Sequence, residues 1–154
     1  ALTYEDWSKI IDVNLTGPML CIKAVAGPMK KQGSGRIVNI SSVAGLGPMG
    51  SSIAYAVAKS GLIHLTRCMA VGLAPEILVN CIAPGAFASD MNRAARDHGD
   101  EVARRIPLKR IGNGEDISAC AIYLAARSGN YVVGQTIAVD GGLVWATIGS
   151  SIDA

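Results

Sequence analysis

Tyr55 and Lys59 stand four residues apart in the run Tyr55-Ala56-Val57-Ala58-Lys59. The stretch around them, from Ser51 to Leu73, is rich in alanine and reads as a helix, so the two side chains share a face. A phenol with an ordinary pKa of about 10 is a poor base at neutral pH. A cation beside it favours the phenolate, and the pair then serves as a tuned acid and base. Taken alone the spacing is weak, because two such residues on a helix more often form a solvated face. Their surroundings add to it. Ser41 and Ser42 follow Arg36-Ile37-Val38-Asn39-Ile40, a β-branched run that reads as a buried strand. Parallel α/β folds place ligands at strand ends of this kind, and a hydroxyl there can bind a substrate oxygen. Pro84-Gly85 follows the next strand, with Phe87 and Ser89 after it. Asn14 lies inside a helical stretch, a place that slightly disfavours asparagine. An ordinary helix polar residue is its other reading.

The elements that must position these residues alternate along the chain. Thr3 with Asp6 marks a helix start, and Trp7, Ile10, Ile11, Leu15 and the run 20–25 give its apolar stripe to about Met29. Gly33-Ser34-Gly35 is a turn. Strands are expected near 36–41, 77–82 and 135–139, with further helices over 51–73 and 114–126. Pro75 ends the second helical region, and Asp140-Gly141-Gly142 closes the last strand. Residues 89–110 form a polar, charged excursion. Helix, strand, helix, strand is the order of parallel α/β structure with helices on both faces. No repeat or internal linker breaks residues 1–154, which read as one domain.

Composition narrows the function. The chain has 154 residues, half of them hydrophobic and 17% charged, which is enough for a sizeable core. A net charge of +2, without a basic stripe interleaved with aromatics, argues against nucleic acid as a partner. The longest apolar stretch, Cys68 to Ala88, is broken by Pro75, Glu76, Asn80 and Pro84, so no membrane span is expected. The first residues show no basic and apolar leader pattern. Cys21, Cys68, Cys81 and Cys120 are scattered without metal or disulfide spacing, and are expected to be reduced and buried in a cytoplasmic protein.

Taken together, Val13-Asn14-Leu15-Thr16-Gly17, residues 36–42, Tyr55 to Lys59, Asn80 to Gly85 and Asp140-Gly141-Gly142 resemble the short-chain dehydrogenase/reductase family. They occur in its order and at close to its spacing, from Leu2 to about Trp145, and suggest its 3-oxoacyl-acyl-carrier-protein reductase-like group. The resemblance implies a partial Rossmann-type, doubly wound parallel α/β sheet that lacks the N-terminal dinucleotide-binding strands. It implies an oxidoreductase that moves a hydride between NAD or NADP and a small-molecule carbonyl or secondary alcohol. By the resemblance Tyr55 is the acid/base, and Lys59 activates it and holds the nicotinamide ribose. Ser42 orients the substrate carbonyl, with Ser41 left a structural part. Asn14 holds a water that relays protons to Lys59. Pro84, Gly85, Phe87 and Ser89 flank the nicotinamide. The family forms dimers and tetramers, so a homo-oligomer is expected.

Departures from the pattern set further expectations. The family's glycine-rich loop and its Asn-Asn-Ala-Gly motif have no counterpart in this sequence. Gly45-Leu46-Gly47-Pro48-Met49-Gly50 matches G-x-G-x-x-G, but Pro48 removes a backbone donor and four residues separate the loop from its strand. The isolated chain is therefore expected to bind NAD(P) weakly, and a module that only oligomerises is the alternative to an enzyme. Phe87 and Ser89 stand where the family usually has Ile or Val and Thr. His64, nine residues after Tyr55, faces away from it and reads as structural, and His98 as exposed. Arg93, Arg96, Arg104, Arg105, Lys109 and Arg110 could attract an acidic substrate such as an acyl-carrier protein or phosphate, but read first as a solvated, mobile lid. Met49 and Met91 could line an apolar pocket, although methionine fills cores more often.

Overall fold

A computed structural model describes residues 2–48, 50–90 and 92–148. Helix α1, Tyr4–Ile11, starts where the sequence places it. The Thr3 hydroxyl accepts the Asp6 N–H at 3.1 Å and donates to the Asp6 carboxylate at 2.8 Å. The chain then passes through a π-helical turn, Asp12–Thr16, into α2, Gly17–Lys31. The helix outruns the expected end at Met29 by two residues. Lys30 and Lys31 suit the negative end of the helix dipole, and Gly33 at φ +75° supplies the left-handed stop.

Strand β1 is Gly35–Ile40, β2 is Ile77–Pro84 and β3 is Thr136–Val139. They form one parallel sheet in the order β1-β2-β3, with Gly35 beside Ile77, Ile40 beside Ile82, and Pro84 beside Val139. Strand β2 runs two residues past the expected 82 because its pairing with β3 continues through Pro84. The turn after Ile40 leads through a short 3₁₀ turn, Val43–Gly45, toward α3, Ile53–Leu73. Helix α6 spans Gly114–Ala125 and α7 spans Leu143–Ile148.

The central strand explains the layers. Every residue of β2 from Ile77 to Ala83 is buried, and side chains alternate between faces, so both faces are covered. Ile77 and Val79 pack with Ala70 against Ala26, Met29, Met69 and Leu73, which places α2 and α3 on one face. Leu78 and Ile82 point to the other, where α6 packs on the sheet. Buried polar groups lock the layers in place. Asn39 of β1 donates to the Thr66 hydroxyl of α3 at 2.9 Å, and Thr66 donates to the Leu62 carbonyl at 2.8 Å. Asn80 donates to the Val132 carbonyl at 2.7 Å and accepts the Gln135 N–H at 2.9 Å, which aligns the approach to β3.

Several expectations are corrected. The excursion at 89–110 contains two short helices, α4 at Arg93–Asp97 and α5 at Gly99–Arg104. Its arginines are largely spent locally: Arg96 pairs with Asp90 and Asp97, Arg105 with Glu101, and Arg110 with Asp116. Of the cysteines, which are all unpaired, only Cys81 is buried. Cys21 and Cys68 are exposed, because the outer faces of α2 and α3 carry apolar residues with nothing packed on them. His64 is exposed on α3 rather than packed, and His98 is exposed as expected. The sequence reading also sets the longest apolar stretch at 68–88. In the fold it is the continuous helix Tyr4–Lys31 that is long and apolar enough to cross a membrane, by length and composition only. Asp6, Lys9, Asp12 and Lys23 punctuate it. Met49 and Met91 lie outside the described residues.

Candidate active site

One cavity of about 890 Å³ opens at the carboxyl ends of β1 and β2. Asn14, Ser42, Tyr55, Lys59, Pro84, Gly85, Phe87 and Ser89 all line it, although they come from separate parts of the chain. Its size falls within the range of small-molecule sites, roughly 300–1,000 Å³.

Tyr55 and Lys59 reach the cavity from successive turns of α3. The Lys59 ammonium lies 5.5 Å from the centre of the Tyr55 ring and donates to the Ile40 carbonyl at 2.9 Å. Half-burial holds the Lys59 amine below the ordinary lysine range. Beneath it, burial pushes the Cys81 thiol up, so this group stays a neutral thiol. Ser42 is half-buried, and its hydroxyl oxygen accepts the Ala44 N–H at 3.1 Å, capping the 3₁₀ turn. A hydroxyl that accepts in this way keeps its own proton to donate.

Asn14 sits in the π-helical turn, where its amide donates to the Ile10 carbonyl at 3.0 Å. Such turns recur at functional sites. Gly85 ends the β2 ladder, its N–H bonded to the Val139 carbonyl at 2.9 Å. A Cβ there would lie 2.7 Å from Cα and Cβ of Asp140, so only glycine lets the two strand ends pass so closely. The Phe87 ring lies against Gly112, where a Cβ would come within 2.3 Å of it. Ser89 is exposed at the rim, and its hydroxyl accepts the Asn92 N–H at 3.0 Å.

Sequence reasoning missed other lining residues, among them Ile10, Ile40, Ser52, Asn92, Ile117 and Leu143. Ile10 and Ser52 had a signal: they stand one helical turn before Asn14 and Tyr55, on the same faces. Ile117 and Leu143 had none, since only the fold brings α6 and α7 to the cavity. The Gly45–Gly50 loop does not serve as a phosphate turn on its first glycine. Gly45 packs against the backbone of Lys59, where a Cβ would lie 2.7 Å from the carbonyl carbon. Among the described residues, no group of three or more His, Cys, Asp or Glu is placed to hold a metal.

Residues 1–144 match a family profile described as enoyl-(acyl carrier protein) reductase. The 3-oxoacyl-[acyl-carrier-protein] reductase of Synechocystis sp. is 43% identical over 142 residues, 91% of this chain and 57% of that protein. The corresponding reductase FabG of Chlamydia muridarum is 39% identical over 144 residues, 92% of this chain and 58% of that one. Among solved structures, a gluconate 5-dehydrogenase from Burkholderia cenocepacia in complex with NADP and tartrate superposes with a TM-score of 0.89. It is 36% identical, covering 94% of this chain and 58% of that one. The chain thus spans less than three-fifths of each of these three relatives.

Proposed function

The chain belongs to the short-chain dehydrogenase/reductase family, and on that premise we propose that it carries the catalytic side of a nicotinamide-dependent oxidoreductase. The substrate is a small-molecule carbonyl or secondary alcohol, with 3-oxoacyl thioesters as the first candidates. The observation that supports this most is the convergence of Asn14, Ser42, Tyr55, Lys59, Pro84, Gly85, Phe87 and Ser89 on one cavity.

In reduction Tyr55 gives its phenolic proton to the carbonyl oxygen, and in oxidation it takes that proton back. Lys59 lies over the Tyr55 ring as a cation and favours the phenolate that remains after the proton leaves. Ser42 donates its free hydroxyl proton to the same substrate oxygen and so fixes it beside Tyr55. Asn14 relays protons from the Lys59 side of the cavity through a water held at its amide. Ile10, Ile40, Val43, Phe87, Ile117 and Leu143 give the walls an apolar character that suits an acyl chain.

The residues present fit one end of NAD or NADP. Pro84, Gly85, Phe87 and Ser89 line the cavity at the end of β2, and Lys59 puts a cation into the same cavity. Lys59 would hold the nicotinamide ribose, and Pro84, Gly85, Phe87 and Ser89 would flank the ring. When bound, the cofactor supplies or accepts the hydride.

Self-association in the cytoplasm completes the proposal. Val13, Leu20 and Val25 on the first helices and Ile53, Val57 and Val71 on α3 are exposed. Burial against a second copy removes this apolar surface from water. The test is turnover of the native polypeptide, read as the change in nicotinamide absorbance with 3-oxoacyl thioesters, secondary alcohols and sugar acids. Reduction of a 3-oxoacyl thioester is expected. No turnover of any carbonyl or alcohol by a folded protein would overturn the reading.

A further inference from the structure

Lys59 is held at two points, and both holds come from consecutive residues at the end of β1. Its ammonium donates to the Ile40 carbonyl at 2.9 Å, and its main-chain carbonyl accepts the Ser41 hydroxyl at 2.8 Å. Ser41 is itself fixed to the next strand, since its N–H bonds to the Ile82 carbonyl at 2.7 Å. It is only 3% exposed, so its hydroxyl is committed to α3 and cannot serve a substrate. Ser42 lines the same cavity but differs from it in being half-buried, with its hydroxyl proton free to donate.

The carbonyl that Ser41 meets lies inside a helix of 21 residues, well away from its ends. A carbonyl there already accepts the N–H four residues on, and a second donor is not required to satisfy it. The extra bond therefore acts on position. The same peptide is also closely approached by Gly45, where a Cβ would lie 2.7 Å from the Lys59 carbonyl carbon and 2.8 Å from its oxygen and from the Ser60 nitrogen. A hydroxyl pulls and a bare backbone abuts at one peptide bond.

We propose that Ser41, backed by Gly45, is a positioning residue that sets Lys59 and Tyr55 of α3 in place against Ser42 at the end of β1. The inference rests on the catalytic reading of Tyr55, Lys59 and Ser42 given above. The clamp fixes both the depth of the ammonium against the Ile40 carbonyl and the span between Tyr55 and Ser42. A loss of alignment at this scale costs turnover without removing any reacting group.

The test uses Ser41→Ala, Ser41→Thr and Gly45→Ala in the native polypeptide. Turnover in Ser41→Ala should fall on the order of ten- to a hundredfold. The fall should appear in kcat more than in KM, and the pH dependence of kcat should move to higher pH. Ser41→Thr keeps the hydroxyl and should recover most of the loss. Gly45→Ala presses on the same peptide and should repeat the Ser41→Ala profile, which keeps the test open if Ser41→Ala does not fold. A readout independent of turnover is the rate at which an acylating reagent labels Lys59, mapped by mass spectrometry. It should rise several-fold in Ser41→Ala and not in Ser41→Thr. A folded Ser41→Ala with unchanged kcat, pH profile and Lys59 labelling would overturn the proposal, as would equal damage by alanine and threonine. If Lys59 labelling responds but no variant and no wild-type protein turns over substrate, the clamp stands and the catalytic reading fails.

Discussion

Gly85→Ala should damage both the fold and the site, while the same change at Gly72 should help. At Gly85 the added methyl would sit 2.7 Å from Cα and Cβ of Asp140, and ordinary contact begins at 3.4 Å. The strand ends of β2 and β3 must therefore part by about 0.7 Å, against the bond from Gly85 N–H to the Val139 carbonyl. Overpacking of this kind costs about 1–3 kcal/mol. For a chain of this size each kcal/mol lowers Tm by about 2–4 °C, so a fall of roughly 2 to 12 °C is expected. Pro84, Gly85 and Phe87 move with the strand end, and turnover should drop further than stability does. At Gly72 a Cβ meets nothing within 4 Å, and the residue lies in the last turn of α3. Alanine there should stabilise by roughly 0.5–1 kcal/mol. Calorimetry of the two variants side by side provides the assay. Equal shifts of the same sign would refute the argument from close approach.

Other expectations follow from the same packing. Burial holds the Lys59 amine below the ordinary lysine value of 10.5, so the folded state binds its proton less well than the unfolded state does. That strain is fully present below the folded value and is relieved as pH rises toward 10.5. Lys59→Met should thus abolish turnover yet raise Tm at neutral pH, with the gain shrinking in alkaline solution; a stability gain that grows with pH would contradict this. Asn113 caps α6 by accepting the Glu115 and Asp116 N–H groups at 3.0 and 3.2 Å. Asn113→Ala should cost about 1 kcal/mol in denaturant melts, with no change in the pH dependence of turnover. Light scattering at micromolar concentration should show a dimer or tetramer, and a charge placed at exposed Val57 should weaken it; a monomer would count against the proposed interface.

Much of the architecture is legible in local pattern. The β-branched runs at 36–40 and 77–82 declare strands. The second is buried because a central parallel strand covered on both faces needs apolar residues throughout. Strand β1, expected to be buried too, is mostly half-buried and ends on an exposed Ile40. The Thr3 start follows from side-chain capping, which is local. The positions around the cavity are legible for a different reason: their order and spacing resemble a family, while Tyr55 and Lys59 alone would not have singled out a site. What escaped the sequence depends on distant contacts. Gly45 reads only as part of a flexible loop until its approach to the Lys59 backbone is seen. Ile117 and Leu143 reach the cavity only through the packing of α6 and α7. The π-helical turn at Asn14 has no local signature, since its residues fit an α-helix equally well. The exposure of Cys21 and Cys68 likewise depends on what packs against their helices, and not on the apolar runs that contain them.

The most direct test of the catalytic reading is Tyr55→Phe in the native polypeptide, assayed by single-turnover kinetics with cofactor and a substrate that the wild type reduces. The substitution keeps the ring beneath the Lys59 ammonium and removes only the group that carries the proton. Hydride transfer should slow by at least about 10²-fold, the low end for general acid–base catalysis, with cofactor affinity and Tm close to wild type. Near-normal transfer by the phenylalanine variant would contradict the account.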